Sequence, residues 1–306
     1  MQQVVWSDLT EEDQDNFLAE WLISGYEKGH GKTQYAWALS AVQKIFPRAR
    51  YRVCWKVYDA WQVLQPAHQA PASPPELLQA MVVMSLCLNK PQLSLVMLLS
   101  YVGLLRVREA LQLKVNDVVL SPASVVLCLG ITKRGMEQKV VLTHPGVVAW
   151  VSQYFSRFGP QKSDAPMFDL SYSTVLRWVR KLADCLGAAQ LNLSTHSFRR
   201  SGASELARQG MPLQDILLYG RWLSERAARD YIRKGEVAVL RARGIISQGS
   251  WDRINKWLDL VSCAWVIYDQ FFIQEDLHID VSKLTSDRMM LLERHIFTLF
   301  ACKTLQ

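Results

Sequence analysis

The sequence predicts a mainly α-helical protein with one small antiparallel β-meander, an α+β fold divided into two domains. Three observations lead to this fold class. Apolar residues recur at helical spacing over most of the 306 residues, three short β-rich runs with turn residues between them lie near the middle, and a proline-rich stretch interrupts the pattern. The length also exceeds the roughly 100–200 residues that are usual for one domain.

The first domain is predicted as three helices within residues 1–65. Thr10 and Asp13 have the spacing of a helix N-terminal cap, and apolar residues follow them at helical intervals. Two further helices are predicted over residues 33–46 and 51–64 by the same periodicity. We therefore expect a helical domain in this part of the chain.

A proline-rich linker separates this domain from the next. Residues 66–75 contain four prolines together with alanine and serine, a composition typical of an extended connector. The elements predicted beyond it are helices at 76–88 and 92–105 and β-rich runs at 118–120, 125–132 and 138–142. Turn residues between these runs predict an antiparallel meander.

Helices resume after the meander and complete a second domain over residues 76–244. The predicted helices cover residues 146–158, 173–186, 196–210, 212–220 and 224–234. Thr195 is expected to cap the third of these, and Pro212 opens the fourth, as proline does at a first helical position. Residues 245–306 match no known pattern and are expected to form a helical extension.

The positive charge of the chain is concentrated in the second domain. The whole chain has a formal charge of +7. Residues 1–30 hold seven acidic side chains and one basic one, whereas residues 177–234 hold eleven basic side chains and five acidic ones. A basic segment of this kind permits a nucleic-acid partner but does not establish one.

Other features of the sequence exclude several classes of protein. The six cysteines are scattered without a Cys-x-x-Cys pair and the six histidines are isolated, so we expect neither disulfides nor a metal site. No apolar stretch reaches the ~20 residues of a membrane span, and the N-terminus lacks the pattern of a signal peptide. We therefore expect an intracellular protein with no membrane partner.

Charged residues occur at two places where they could have a chemical role. Arg106 follows a long apolar helix, where an unpaired charge is costly, and Glu109 is close enough in sequence to hold its guanidinium. Lys133 lies at the predicted hairpin tip, from which a lysine can reach into a site and act as a general acid. Taken singly, an ion pair within a helix and a solvated lysine are the better explanations.

A second group of candidate residues lies in the basic segment. His196 and Arg199 share one face of a helix, where histidine can carry a proton and arginine can bind phosphate oxygens. Trp222 ends a Gly-x-Trp sequence, and Tyr231 comes nine residues later among several basic residues. Positive charge nearby favours the phenolate form of Tyr231, although a partly buried tyrosine with a hydrated hydroxyl fits the sequence equally well.

Together and in this order, these residues resemble the tyrosine recombinase (phage integrase) family. The pattern is Gly-Leu-x-Arg-x-x-Glu, a hairpin lysine, His-x-x-Arg, Gly-x-Trp and a tyrosine nine residues later, and the resemblance covers residues 75–244. Residues 220–235 are also similar to recombinases of eukaryotic mobile elements. The resemblance implies as catalytic residues Arg106, Lys133, His196, Arg199, Trp222 and Tyr231, with Glu109 in support.

The resemblance implies an enzyme that breaks and rejoins DNA without metal, ATP or another cofactor. Tyr231 would attack a phosphodiester and form a 3′-phosphotyrosine, while Arg106 and Arg199 stabilise the negative charge on the phosphate. Hydrogen bonds from His196 and Trp222 would assist the arginines. The lysine of the hairpin would protonate the leaving 5′-oxygen. The family also implies double-stranded DNA as the partner and a homotetramer on paired DNA sites.

Basic residues outside this pattern are expected to contact DNA. Most of them lie in the predicted N-terminal helices, where a solvated surface is an equally good explanation. The residues are Lys44, Arg48, Arg50, Arg52, Lys56 and Arg200. A DNA substrate would place the protein in the nucleus of a eukaryote or in the cytoplasm, at the nucleoid, of a bacterium.

Three alternatives remain open from the sequence alone. A non-catalytic descendant of a recombinase would bind DNA without cleaving it. A topoisomerase IB-like enzyme would relax DNA with the same residue types but without paired sites. A helical scaffold for RNA or an acidic protein would leave the six-residue pattern as a coincidence. Covalent capture on nicked DNA and relaxation of supercoiled DNA distinguish these alternatives from a recombinase.

Overall fold

The chain divides into two units, residues 1–69 and residues 70–306. The computed structural model describes residues 6–65, 71–131, 137–159, 164–269 and 296. These residues are mainly helical and include a three-stranded antiparallel sheet, which confirms the predicted fold class.

Within residues 6–65, the part of the first unit that the structure describes, there are three α-helices. They are α1 (Glu11–Glu27), α2 (Lys32–Ile45) and α3 (Arg52–Leu64). The predicted cap of α1 is confirmed, because the Thr10 hydroxyl accepts a hydrogen bond from the Asp13 amide at 3.2 Å. The Asp15 carboxylate accepts hydrogen bonds from the amides of Val53 and Cys54, each at 2.8 Å. These bonds satisfy free amides at the start of α3 and fix α3 beside α1.

The second unit is organised around two apolar helices, α4 (Pro75–Cys87) and α5 (Pro91–Val102). Both begin at a proline, which suits a first turn because the amide hydrogen is not needed there. Although both are strongly apolar, no helix in the described residues is long and apolar enough to cross a membrane. The other helices of the unit are α6 (Val107–Leu111), α7 (Pro145–Phe158), α8 (Tyr172–Cys185), α9 (Thr195–Arg208), α10 (Leu213–Gly220), α11 (Glu225–Ile245), α12 (Gln248–Asp259) and α13 (Ala264–Tyr268).

The predicted meander lies between α6 and α7. Its strands are β1 (Val118–Leu120), β2 (Val125–Ile131) and β3 (Glu137–Leu142), and they pair in the order β1-β2-β3. Val126 of β2 lies opposite Val119 on one side and Val141 on the other. Val125 and Leu127 are buried in the core of the unit. The sheet therefore packs one face against the helices.

Helix α11 is longer than the sequence predicts. The prediction ends it near Lys234, whereas the helix continues through Ile245. Its last turns are held by burial of Ala242 in the core and by an ion pair at 2.7 Å between Arg243 and Glu76 of α4. The prediction was wrong because these contacts are tertiary, and the charged local sequence does not show them.

The described part of the C-terminal extension belongs to the core of the second unit. Helices α12 and α13 pack against α4, with Ile254 and Trp257 fully buried. The Tyr268 hydroxyl donates a hydrogen bond to the side-chain oxygen of Asn89 at 2.9 Å. Helix α4 is buried on nearly all sides, and this extension supplies part of its cover. The role expected for residues 245–306 as a whole stays open, because most of 270–306 lies outside the described residues.

We expect Trp257→Ala to destabilise the second unit by about 3–5 kcal/mol, because it removes the largest fully buried side chain among the described residues and leaves a cavity. Urea denaturation followed by circular dichroism measures the change. The control is Lys256→Ala on the same helix, which is exposed and should change stability by less than about 0.5 kcal/mol. Equal stability of the two variants would show that the extension is not part of the folded core.

Candidate active site

The turn between α5 and α6 presents Arg106 to the solvent. The Arg106 amide donates a hydrogen bond to the Glu109 carboxylate at 2.8 Å, and the Arg106 guanidinium forms an ion pair with the same carboxylate. The Arg106 side chain remains 34% exposed. Leu104 adopts a φ of 46°, in the left-handed region that residues with side chains rarely occupy. The structure thus brings the predicted pair together and leaves the guanidinium accessible.

Helix α9 places His196 at the surface and Arg199 in the interior. The helix begins at Thr195, and its cap is Ser194, whose hydroxyl accepts a hydrogen bond from the His196 amide at 3.2 Å. The prediction of Thr195 as the cap was wrong, because its hydroxyl donates instead to the Tyr172 hydroxyl at 3.1 Å. Arg199, one turn after His196, is only 3% exposed.

Arg199 joins three parts of the second unit. Its guanidinium donates hydrogen bonds to the carbonyl oxygens of Leu104, before α6, and Gly220, at the end of α10. The guanidinium carbon lies 4.7 Å from the centre of the Trp222 ring. The Glu109 carboxylate is 3.8 Å from the nearest guanidinium nitrogen. These partners compensate the cost of burying a charge.

Tyr231 lies on α11 where that helix packs against α9. Its half-buried ring is 5.4 Å from the Trp222 ring, and its hydroxyl donates to the His196 carbonyl at 3.5 Å. The Arg200 guanidinium carbon lies 4.4 Å from the centre of the Tyr231 ring, a cation–π contact. Gly235, one turn later, permits this close approach, since a Cβ there would lie 2.0 Å from a serine hydroxyl of α9.

Arg221 also belongs to the site, although the sequence did not single it out. It is 6% exposed, and its guanidinium donates to the Glu109 carboxylate at 2.8 Å and to the Leu104 carbonyl at 2.9 Å. In the sequence it fills the variable position of Gly-x-Trp. The sequence does offer one indication of this role, because Arg221 is a charged residue between apolar residues. A charge at such a position is expected to be buried, and a buried charge needs a partner.

Three arginines share the Glu109 carboxylate. Burial by itself raises the pKa of Glu109, but the Arg106 amide, Arg221 and the Arg106 guanidinium outweigh burial and hold this pKa below its ordinary value. Burial, Arg221 and Arg106 lower the pKa of Arg199 to about 10, which leaves Arg199 protonated at neutral pH. Three positive charges against one negative charge make the cluster a suitable place for an anion.

The environment of Tyr231 favours the neutral phenol. Burial raises the pKa of Tyr231, and the positive charges of Arg199, Arg200 and Arg106 lower it without cancelling the effect of burial. Of the two interpretations that the sequence left open, this environment agrees with a partly buried tyrosine and not with a favoured phenolate. The basic residues of the tyrosine's own helix are exposed to solvent: Arg226, Arg229, Arg233 and Lys234.

A comparison with protein families identifies the chain. The model described as "Phage integrase family" matches residues 75–236, more than half of the 306 residues. The chain belongs to the phage integrase family. This confirms the resemblance stated from the sequence. No curated protein matched the chain.

Several solved structures are similar to this phage integrase family member. The post-cleavage complex of XerH site-specific recombinase with a palindromic difH substrate is 17% identical, with a TM-score of 0.50 over 75% of this chain and 69% of that chain. The pre-cleavage XerH complex with difH is 16% identical, with a TM-score of 0.49 over 76% and 70%. XerA recombinase is 18% identical, with a TM-score of 0.44 over 78% and 83%. The first of these likenesses shows a shared fold.

The structure brings most of the predicted site residues of this family member together. Those in the cluster are Arg106, Glu109, His196, Arg199, Trp222 and Tyr231. Lys133 lies outside the described residues, as do its neighbours at 132–136. Arg200, predicted as a DNA contact, is 6% exposed because α11 covers it, and it contacts Tyr231. Its role toward DNA stays a prediction. Within the described residues, no group of His, Cys, Asp and Glu side chains could hold a metal ion.

The predicted DNA contacts of the first unit lie on its surface. All five basic side chains are exposed, in α2, in α3 and in the segment that joins these helices: Lys44, Arg48, Arg50, Arg52 and Lys56. Exposure is necessary for contact with phosphates, and a solvated surface has the same property. Their role in DNA binding stays a prediction.

Proposed function

We propose that this phage integrase family member is a site-specific recombinase that cleaves and rejoins double-stranded DNA through a 3′-phosphotyrosine at Tyr231. The observation that carries the proposal is the convergence of Tyr231 with Arg199 and Arg106, which come from α11, α9 and the turn before α6. Membership of the family supports the same reaction, and the similar XerH structures contain difH substrates.

The reaction exchanges one phosphate ester for another. The Tyr231 oxygen attacks the phosphorus in line and forms a new P–O bond, while the bond to the 5′-oxygen breaks and releases a 5′-hydroxyl. The phosphotyrosine retains the ester bond, so attack by the 5′-hydroxyl of another strand rejoins DNA without ATP or a metal. Tyr231 is neutral before attack, and we propose that its proton passes to solvent as the oxygen bonds to the phosphorus. We propose Lys133 as the acid that protonates the leaving 5′-oxygen.

Stabilisation of the phosphate is assigned to fixed donors. Arg106 has a partly exposed guanidinium, held at one end by Glu109. Arg199 uses two N–H groups for backbone carbonyls, and a guanidinium has five, so others remain to bind the phosphate. His196 and the indole N–H of Trp222 add hydrogen bonds. Donors that are already in place require no rearrangement when charge develops on the phosphate.

Strand exchange also implies how the protein assembles on DNA. Two duplexes must each be cut on both strands, so we propose four protomers on a pair of sites. The exposed basic residues of the first unit are proposed to follow the phosphates beside the cleavage point. Binding that depends on these contacts should weaken steeply as the salt concentration rises.

Covalent capture on DNA tests the proposed function. The substrate is a pool of DNA duplexes that have a randomised central sequence and a nick near the centre. After cleavage, the short strand that carries the new 5′-hydroxyl diffuses away, so the strand cannot be rejoined and the protein stays covalently bound. We expect adducts that resist detergent and whose DNA converges on one sequence. No adduct on any member of the pool would favour the non-catalytic descendant. Adducts without convergence, together with relaxation of a supercoiled plasmid, would favour a topoisomerase.

The contact between Arg200 and Tyr231 predicts a shift in the pH dependence of cleavage. Arg200 lowers the pKa of Tyr231, so Arg200→Gln should raise this pKa further. At any pH below that pKa the variant then holds less phenolate, and its rising pH–rate curve should move to higher pH. Adduct formation measured between about pH 6 and 10 records the curve.

Arg208→Gln is the matched control for this shift. Arg208 lies on the same helix as Arg200, but its side chain is 68% exposed and pairs with Glu205. Its pH–rate curve should coincide with that of the wild type. A pH–rate curve of Arg200→Gln that coincides with that of the wild type would mean that Arg200 does not act on the Tyr231 hydroxyl.

A further inference from the structure

Arg221 adopts a backbone conformation that disfavours a side chain. Its φ is 59°, in the left-handed region where glycine and asparagine are usual. Leu104, which accepts a hydrogen bond from Arg221, also lies in this region with a φ of 46°. Two unfavourable conformations in direct contact persist only when the surrounding structure imposes both, and such residues cluster at functional sites.

The Arg221 guanidinium holds the turn that carries Arg106. It donates to the carbonyl oxygen of Gly103 at 3.3 Å and to that of Leu104 at 2.9 Å, which lie three and two residues before Arg106 in the turn. It also donates to the Glu109 carboxylate at 2.8 Å. The same carboxylate binds the Arg106 guanidinium. Arg221 therefore holds the backbone that leads to Arg106 and, through Glu109, also holds the Arg106 side chain.

The second arginine of the proposed phosphate site is linked to the same turn. The Leu104 carbonyl accepts hydrogen bonds from both Arg199 and Arg221, and both arginines lie within 4 Å of Glu109. Arg221 directly follows α10, whose last carbonyl, at Gly220, is the other acceptor for Arg199. A displacement of Arg221 would therefore move the partners of both phosphate-binding arginines.

We propose that Arg221 is a positioning residue for strand cleavage, which sets the geometry of Arg106 and Arg199 through Glu109 and the Leu104 carbonyl. The inference rests on the proposed function. This role requires the planar guanidinium group of an arginine, because its two terminal nitrogens bind different acceptors: one binds the Gly103 carbonyl and the other binds the Leu104 carbonyl and the Glu109 carboxylate. The single ammonium of a lysine cannot reproduce these contacts.

Two variants distinguish the effect of the Arg221 side chain from the effects of its backbone conformation and of its positive charge. Arg221→Gly removes the side chain and suits the left-handed conformation, whereas Arg221→Lys keeps the charge without the fork. Arg208→Gln is the control, since Arg208 is exposed and lies outside the site. Adduct formation and DNA affinity are measured on the sequence that the wild-type protein captures. Glu109→Gln, alone and combined with Arg221→Gly, completes a double-mutant cycle.

We expect both Arg221 variants to form the adduct about 100-fold more slowly, as a misplacement of catalytic groups by about 1 Å does. Their DNA affinity should remain at the wild-type level. Free guanidinium ion below denaturing concentrations should partly restore the rate of Arg221→Gly and have no effect on Arg208→Gln. The combined variant with Glu109→Gln should be slowed no more than the slower single variant, because Arg221 acts through Glu109.

An unchanged rate in Arg221→Gly or in Arg221→Lys would overturn the inference. A loss that lies wholly in DNA affinity would also overturn it, as would losses that multiply in the combined variant. If both variants lose native helix content, Arg221 is a folding residue and the inference is equally wrong. Absence of any adduct from the wild type would contradict the proposed function itself, whereas an active wild type with equally active variants contradicts only the role of Arg221.

Discussion

Tyr231→Phe is expected to abolish the covalent protein–DNA adduct and to leave the fold and the DNA affinity close to those of the wild type. Phenylalanine keeps the ring that contacts Trp222 and Arg200 and lacks only the oxygen that bonds to phosphorus. The hydroxyl's bond to the His196 carbonyl spans 3.5 Å, so its loss should cost no more than about 1 kcal/mol. Denaturing gels measure the adduct, and a gel-shift assay measures affinity.

Tyr154→Phe is the control for this substitution. It removes the hydroxyl of a buried tyrosine of α7, which donates to the Met167 carbonyl at 3.4 Å, far in sequence from the proposed nucleophile. The control should form the adduct at the wild-type rate. If Tyr231→Phe still traps DNA, another residue is the nucleophile and the proposed mechanism is wrong.

Arg199→Ala is expected to slow cleavage strongly and also to destabilise the fold. The change removes a buried guanidinium from the carbonyls of Leu104 and Gly220 and from the face of Trp222. Removal of one partner from a buried charged network costs about 3–5 kcal/mol. Removal of one preorganised donor slows a reaction by about 10²–10³-fold. Urea denaturation and the rate of adduct formation measure the two effects separately.

Arg199→Lys separates the charge from the fork geometry. It keeps the positive charge, yet one ammonium cannot serve two carbonyls and a phosphate together, so cleavage should remain strongly reduced. Arg208→Ala, in the last turn of the same helix, should be near wild type in both stability and rate. DNA affinity should be largely preserved in both Arg199 variants. A loss of affinity equal to the loss of cleavage would make Arg199 a DNA-binding residue only.

Much of the fold follows from local sequence because local interactions decide it. The cap formed by Thr10 and Asp13 is a contact within one turn, and the three β-rich runs carry their own turn residues. The length of α11 and the packing of Trp257 depend instead on distant partners in α4. No periodicity within residues 236–268 reveals which surface those side chains cover.

The candidate site could be predicted where its residues form a spaced pattern. Arg106, His196, Arg199, Trp222 and Tyr231 were found in this way, and the structure places them in one cluster. The sequence did not predict the places of two other arginines, because these depend on how separate elements meet. Arg221 enters the site through a left-handed residue after α10, and Arg200 is buried by the approach of α11.

The direction of the Tyr231 pKa could not be predicted from charge alone. The sequence shows many basic residues near the tyrosine, whereas burial, which acts in the opposite direction, is visible only in the folded protein. The cations that do act on Tyr231 come from α9 and from the turn before α6. These cations are distant in sequence from α11, so the basic residues next to Tyr231 in the sequence are not the ones that lower its pKa.

Cleavage of DNA through Tyr231 can be tested by mapping the covalent bond between protein and DNA. Wild-type protein trapped on its captured sequence is digested with protease and nuclease, and the peptide that carries a nucleotide is sequenced by mass spectrometry. We predict one nucleotide, joined through its 3′-phosphate to Tyr231. A nucleotide on any other residue, or a bond through a 5′-phosphate, would rule out cleavage through a 3′-phosphotyrosine at Tyr231.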